Sequence, residues 1–484
     1  MAEFLKKLTA VMFYAALPML IPILYSLYVG DGAWIPILIT AVLLAFPAIP
    51  HLITSLFENI TNFLKSLVNP DTPFNSSFMI IMKEMRKEVD TLTLGQILTL
   101  TSVAWIIVPL ISTIPYVYYG IPLVDAFFES MSGWTSTGLS ALPSLKGLPD
   151  SMIFFRSITQ WVGGLGIVVL ILTVVRGKEA TSFLKAEGRA MTEVGIGETV
   201  GIIFKTYAFL TIFGIALLFF LGIDLFEAVN LAFAGISNGG FFPFDDFAFT
   251  DLQKFALAIL MFAGATSFIF YRNIWEGIPK KSIFDEEFLL YVLITIVAIG
   301  LITYMGGEEF YNTVLNTISA IACGGFAIGD LSIIHSFSLY LLILLMLTGG
   351  MVGSTTGGLK LWRILVIFKA IGKHIKSAFL PSGSVQVVKI NGGAIDEHMI
   401  VESATFVFTY IFLFLFASGV FMIANYSLEE SLFMVASALG NVGLSTVDVP
   451  EIGQMGKAFL ILLMYLGRIE IFPSLALLSY IVRR

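Results

Sequence analysis

The sequence predicts an all-α polytopic membrane protein, built as a fourfold pseudo-symmetric repeat of span, short half-helix, turn and span, preceded by two extra spans. Three observations carry this. Of 484 residues, 57% are hydrophobic and only 13% charged, with a mean hydropathy of +0.92. Soluble domains are about 45–50% apolar and about a quarter charged, so polar skins for the two or three domains this length requires are missing. The apolar residues fall in blocks long enough to cross a bilayer as helices, and four connecting loops repeat one pattern. A soluble enzyme, a disordered chain and a disulfide scaffold are thereby excluded. The formal charge of −7 argues against nucleic acid as a partner, and the single Cys323 makes no internal disulfide.

Ten spans follow in order: 8–29, 33–50, 97–116, 152–175, 200–221, 255–271, 288–304, 333–371 with an interruption, 400–424 and 459–482. Lys6 and Lys7 before the first apolar run imitate a signal peptide. That run is too long for an h-region and shows no cleavage site, so it is expected to stay as the first helix. Ten spans put both termini on one side. Lys6, Lys7, Lys65, Lys83, Arg86, Lys87, Arg176, Lys178, Lys185, Arg189, Arg272, Lys280 and Lys281 fall on that side, as do Lys360, Arg363, Lys369, Lys373, Lys376, Lys389, Arg483 and Arg484. Cationic loops stay in the cytoplasm, so both termini are expected there, in a multi-pass protein of the cell membrane. The opposite loops hold only Lys146, Lys254 and Lys457 against many acids, among them Asp31, Asp125, Glu129, Asp245, Asp251 and Glu309. Either this excess gathers cations at the outer mouth, or outer loops simply lack lysine.

The four repeated loops cover 125–139, 227–241, 312–326 and 430–444, and they align without gaps on Gly138, Gly240, Gly325 and Gly443. Thirteen positions earlier stand Asp125, Glu227, Asn312 and Glu430, where an acid complements the positive end of a helix. Six positions earlier stand the small residues Ser132, Ala234, Ser319 and Ser437, which let helices approach closely. The aligned glycines allow positive φ. Expected units are an amino-terminal two-span unit with its cytoplasmic loop (1–92) and repeats at 93–190, 191–280, 281–390 and 391–484. Non-helical backbone at membrane depth is tolerated only inside protein or along a water-filled path. Four such turns around one axis would present rings of carbonyl oxygens able to replace the hydration shell of a monovalent cation.

These loops, together with 156–170 (RSITQWVGGLGIVVL), 348–360 (TGGMVGSTTGGLK), 438–444 (ALGNVGL) and 467–472 (GRIEIF), resemble the Trk/Ktr/HKT superfamily of potassium transporters, specifically Trk-type potassium uptake membrane subunits. The resemblance covers essentially the whole chain, and the two leading spans resemble the Trk rather than the shorter Ktr form. It implies pore helices and filter turns, with K+ as the transported ion and no other cofactor. Backbone carbonyls of Ser136, Thr137 and Gly138 would coordinate it, with Asn238, Gly239 and Gly240, Cys323, Gly324 and Gly325, and Asn441, Val442 and Gly443. Some plant relatives carry serine in the first turn and favour sodium, so Gly138 points to potassium. The residues before the glycines differ from channel-type filters, which leaves a less selective Na+/K+ pathway as an alternative.

The run 348–358 has five glycines and four hydroxyl residues in eleven positions. Each glycine costs a helix about 1 kcal/mol against alanine, so a break fits better than a straight helix. By resemblance this is an intramembrane gate loop under the filter, carried here by Gly349, Gly350, Gly353, Ser354, Thr355, Thr356, Gly357 and Gly358. Lys360 at its end reads as an anchor on the cytoplasmic side. Arg468, nine residues into the last span, costs roughly 2.5–3.5 kcal/mol on insertion scales, and such a residue faces a cavity or a partner. By resemblance it lies in the pore below the filter and meets the loop. Arg156 and Gln160 are expected to brace a pore helix. The resemblance also implies a homodimer and a separate cytosolic, nucleotide-binding regulatory subunit of the TrkA-like kind. The basic cytoplasmic segments would meet that subunit or membrane lipid. A secondary transporter of another small solute would show two inverted repeats. An intramembrane enzyme would need ligand-spaced histidines, which His51, His335, His374 and His398 are not.

Overall fold

The computed structural model describes residues 2–50, 94–174, 196–245, 248–275, 277, 285–307, 309–381, 386–471, 473, 474 and 477. Several sequence-based expectations lie outside these residues: the cytoplasmic loop 51–92, the cations Arg176, Lys178, Lys185, Arg189, Lys280, Lys281, Arg483 and Arg484, and the end of the tenth span.

The described chain is almost entirely helical. An amino-terminal group comprises α1 (Ala2–Ala16), α2 (Leu20–Val29) and α3 (Trp34–Ala45). The first repeated unit holds α4 (Leu94–Ile111), the short α5 (Ile114–Tyr118), α6 (Leu123–Trp134) and α7 (Asp150–Val174). The second holds α8 (Ile196–Phe220), α9 (Leu225–Ser237), α10 (Asp251–Gly264) and α11 (Phe268–Trp275). The third holds α12 (Glu286–Gly306), α13 (Phe310–Ala322), α14 (Ser336–Thr348) and α15 (Leu361–Ser377). A small hairpin, β1 (Lys389–Ile390) with β2 (Gly393–Ala394), precedes α16 (Glu397–Ile423), α17 (Leu428–Leu439) and α18 (Gln454–Arg468).

Among the described residues five helical stretches are individually long and apolar enough to cross a membrane: Phe4–Val29, Gly95–Tyr118, Gly201–Phe220, Glu286–Gly306 and Glu397–Ile423. The expected span 255–271 departs from a straight helix, because α10 and α11 meet at 89°. The physical reason lies elsewhere in the chain. Carbonyls freed by the bend are taken by the glycine-rich loop: Met351 N donates to Ala265 O at 3.1 Å and Thr355 N to Gly264 O at 3.3 Å. The loop returns a carbonyl, Gly353 O, to Phe268 N at 3.0 Å. A break in buried backbone survives only when its polar groups find partners, and here two breaks satisfy each other.

The helices α6, α9, α13 and α17 have 12, 13, 13 and 12 residues. At 1.5 Å per residue they reach about 18–20 Å, short of the ~30 Å hydrocarbon core. They are nonetheless largely buried: every residue of α13 from Thr313 to Ala322 is buried. Their packing is cyclic. Each is flanked by the helix that follows it in its own unit (α7, α10, α14, α18) and by the corresponding helix of the unit before. Thus α7 packs on α9, α10 on α13, α14 on α17, and α18 back on α6.

Candidate functional site

The four short helices end in the same way. Each runs into a residue with left-handed backbone two positions before the aligned glycine: Ser136 (φ 51°), Asn238 (φ 53°), Cys323 (φ 54°) and Asn441 (φ 52°). The next residue then donates its N–H back five positions: Thr137 to Ser132 O at 2.9 Å, Gly239 to Ala234 O at 2.7 Å, Gly324 to Ser319 O at 2.7 Å and Val442 to Ser437 O at 2.8 Å. This is a Schellman ending with a non-glycine residue in its left-handed position. Sequence reasoning assigned the left-handed turn to the glycine alone and missed this earlier position; asparagine at 238 and 441, a residue that tolerates the conformation, was the available signal. The glycines follow with φ of 93°, 78°, 73° and 96°.

The turns then meet one another in sequence. A Cβ built on Gly138 would overlap Gly239 O, and one on Gly240 would lie 3.0 Å from Gly324 O. One on Gly325 would lie 2.9 Å from Val442 O, and one on Gly443 would overlap Thr137 O. Each glycine therefore abuts the carbonyl that precedes the glycine of the next turn, and the fourth abuts the first. The twelve residues Ser136–Gly138, Asn238–Gly240, Cys323–Gly325 and Asn441–Gly443 are brought together; all are buried except Gly138 and Gly443, which are partly exposed.

Side chains at the left-handed positions anchor outward, to the helix after each turn. Ser136 Oγ donates to Gln160 O at 2.9 Å, and Asn441 Nδ2 donates to Met464 O at 2.8 Å and Thr137 Oγ1 at 3.0 Å. The Asn238 amide is satisfied with its nitrogen on Met261 O at 3.1 Å and its oxygen accepting from Ala265 N at 3.1 Å. Cys323 is fully buried, its thiol beside the backbone of Gly350 and Gly357. Gln160 grips the second turn at both faces: its Nε2 donates to Gly239 O, and its Oε1 accepts from Phe241 N at 3.1 Å. Gly239 O keeps a second lone pair.

A further set of glycines was missed. Gly163, Gly264 and Gly467 each leave room for a carbonyl near the end of one of the short helices, those of Trp134, Ile236 and Leu439. The spacing of 28–29 residues between partners was legible in the sequence. In the third unit the corresponding place, 28 residues after Ile321, is Gly349, where the glycine-rich loop begins. The breaks after Gly264, after Thr348 and after Arg468 thus fall within one residue of the same aligned position.

The loop lies buried beneath the turns. Gly349, Gly353 and Gly358 have φ of 69°, 76° and 78°; Gly350 and Gly357 have no room for a side chain, against Thr356 and Ala265 O and against Gly440 O respectively. Ser354 Oγ donates to Met351 O at 2.6 Å and lies 2.9 Å from Thr356 Oγ1. Thr355 Oγ1 lies 3.0 Å from Gly264 O. Lys360 is not an exposed anchor: it is 6% exposed, and its Nζ donates to Thr356 O and, at 3.0 Å, to Thr356 Oγ1. Arg468 is buried and forked. Its Nη1 donates to Thr355 O at 3.0 Å, and its Nη2 to Gly163 O and to Gly164 O at 3.2 Å. Glu470 turns away from it to pair with Arg363 at 2.6 Å.

The outer acids are largely committed to structure. Glu129 is fully buried and pairs with Arg156 at 3.3 Å, while the Arg156 guanidinium also sits 4.1 Å over the Phe241 ring. Arg156 and Gln160 thus brace two turns. Asp125 binds Lys457 at 2.7 Å; Asp251 and Glu309 bind Lys254 at 3.2 and 3.4 Å. Burial alone would raise Asp31, but hydrogen bonds from Ser26, Ser151 and Ala33 hold its carboxyl below the ordinary range. The idea that these acids collect cations at the mouth is therefore overturned for Glu129 and weakened for the others. Glu129→Ala would leave Arg156 buried and unpaired, so it is expected to destabilise the protein by about 3–5 kcal/mol, read as a large fall in thermal midpoint in detergent.

Residues 76–296 and 290–482 match the TrkH family, described as cation transport protein. The chain belongs to that family. An uncharacterized cation transporter of Methanocaldococcus jannaschii is 32% identical over 88% of this chain and 90% of its own length. The Trk system potassium uptake protein TrkH of Escherichia coli K12 is 27% identical over 81% of this chain and 87% of its own. The crystal structure of the potassium transporter TrkH from Vibrio parahaemolyticus superposes with a TM-score of 0.80 at 23% identity, covering 100% of this chain and 99% of that one, and so shares the fold. With its apolar helices, this family member is a membrane protein that transports cations rather than an enzyme.

Proposed function

We propose that the protein takes up potassium across the cell membrane through a central filter made of the four turns, with both termini cytoplasmic and units bounded at 92, 190, 280 and 390. The closed circuit of glycine against neighbouring carbonyl carries this reading. Main-chain oxygens packed around a common axis can replace water around a dehydrated monovalent cation without a charged side chain, and among the described residues no group of three or more acids, histidines or cysteines could hold a metal ion. The carboxyl ends of α6, α9, α13 and α17 meet at the turns, and their negative dipole ends favour a cation. Below them, loop 349–358 closes the pathway and Arg468 holds it closed. The potassium uptake named for the Escherichia coli relative agrees with this. A homodimer served by a nucleotide-binding TrkA-like subunit completes the proposal.

Rubidium and sodium uptake into liposomes containing the purified protein tests it. Rubidium is expected to enter, to be displaced by potassium and to be displaced far less by sodium. Equal displacement by the two ions would reject the filter reading.

A further inference from the structure

Three acids follow one another at the start of α12, and each does something different. Asp285 caps the helix, accepting from Phe288 N at 2.7 Å. Glu286 binds the cytoplasmic hairpin reciprocally: its Oε1 accepts from Asn391 N at 3.0 Å, its own N donates to Asn391 Oδ1 at 2.8 Å, and its Oε2 pairs with Lys369 of α15 at 2.5 Å. Glu287 points inward and is 5% exposed. Its Oε1 accepts from Val352 N at 2.7 Å and from Trp362 N at 3.1 Å. One amide lies in the first half of the glycine-rich loop and the other in the first turn of α15 just beyond it, so one carboxylate oxygen ties the loop to the helix it leads into. The positive charge of Lys360 lies near. A buried carboxylate costs free energy unless it is hydrogen-bonded and paired, so its presence between these two amides calls for a reason beyond packing.

The hairpin is built to hold position. Asn391 and Gly392 have φ of 52° and 80°, the two left-handed residues that a tight two-residue turn requires. Ile390 is buried with Leu365 and Val366 of α15. Neighbouring residues on one helical turn therefore hold a surface element and a buried loop.

We propose that the first turn of α12 is a coupling joint, in which Glu287 is a positioning residue that holds loop 349–358 at Val352 to the start of α15 at Trp362, and hairpin 389–394 sets that turn through Glu286. Displacing the hairpin loosens the loop. The part of this inference that concerns ion flux rests on the reading of the loop as a gate; the mechanical part does not.

Hydrogen–deuterium exchange of the full-length protein in nanodiscs reads the mechanical part directly. Glu287→Ala is expected to speed exchange across 349–362 by about tenfold, equivalent to ~1.4 kcal/mol, with little change in 436–443. Glu287→Gln keeps an acceptor oxygen in place and is expected to restore most of the protection. Asn391→Ala, on the surface, is expected to speed exchange in the same loop severalfold, and to add nothing in the Glu287→Ala background. Unchanged loop exchange in Asn391→Ala, or two effects that simply multiply, overturns the joint. So does exchange that rises equally in 436–443, since that is general destabilisation. Should Glu287→Ala fail to fold, Glu287→Gln and Asn391→Ala decide the matter. Rubidium flux separates the two readings: a loosened loop with unaltered flux keeps the joint and removes the gate, and wild-type vesicles that carry no rubidium remove the proposed function while the exchange result still stands.

Discussion

Gly443→Ser is expected to destroy discrimination between potassium and sodium, lowering the ratio of rubidium to sodium uptake in liposomes by about tenfold or more, a loss of at least ~1.4 kcal/mol. Two effects act together. Gly443 has φ 96°, a backbone region that residues with a side chain resist at a cost of order 1–3 kcal/mol. Its added Cβ would also occupy the space of Thr137 O, a carbonyl assigned to the ion. Either the fourth turn rotates or the first retreats, and both change the spacing of the oxygens that compete with water. Gly453→Ser serves as the control, because nothing lies within 4 Å of a Cβ there and its φ of −59° suits any residue. An unchanged ratio in Gly443→Ser would show that the turn does not set selectivity.

Arg468→Ala is expected to raise rubidium flux by about tenfold while leaving the selectivity ratio near the wild-type value. The guanidinium joins two elements, the loop at Thr355 and α7 at Gly163 and Gly164. Hydrogen bonds from a charged donor contribute about 1.5–3 kcal/mol each, so removing the fork frees the loop from α7. It also removes a fixed positive charge from the proposed path of the cation. Arg468→Lys keeps the charge but cannot span three carbonyls with a planar fork. Flux intermediate between wild type and Arg468→Ala is expected for it. Flux in Arg468→Lys equal to that of Arg468→Ala would assign the effect to geometry alone, and unchanged flux in Arg468→Ala would remove the arginine from gating.

The short helices, their turns and their order were legible because the chain states the same local instruction four times: a first-turn polar residue, small residues near the end, then glycine. The membrane placement was legible because composition alone forbids water as the surrounding solvent. Other features were not legible, for reasons that can be named. Glu129 looked like an outer acid because nothing local announces Arg156, 27 residues away, as its buried partner. Lys360 looked like a cytoplasmic anchor because lysine usually is one, yet its ammonium folds back onto Thr356 inside the protein. The span 255–271 reads as continuous because its own residues allow a helix; the bend is stabilised by Met351, Gly353 and Thr355 from the next unit. The hairpin carried a signal in Asn391–Gly392 that the surrounding search for spans passed over.

By itself, then, the sequence determined the class of solvent and which residues form the four turns, since these follow from composition and from patterns that act within a few residues. Tertiary structure alone decided which carbonyl faces which glycine, where the helices that follow the last three turns break, and which charges are spent on bracing. Those outcomes depend on buried polar groups finding partners far along the chain, and no local pattern encodes who the partner will be.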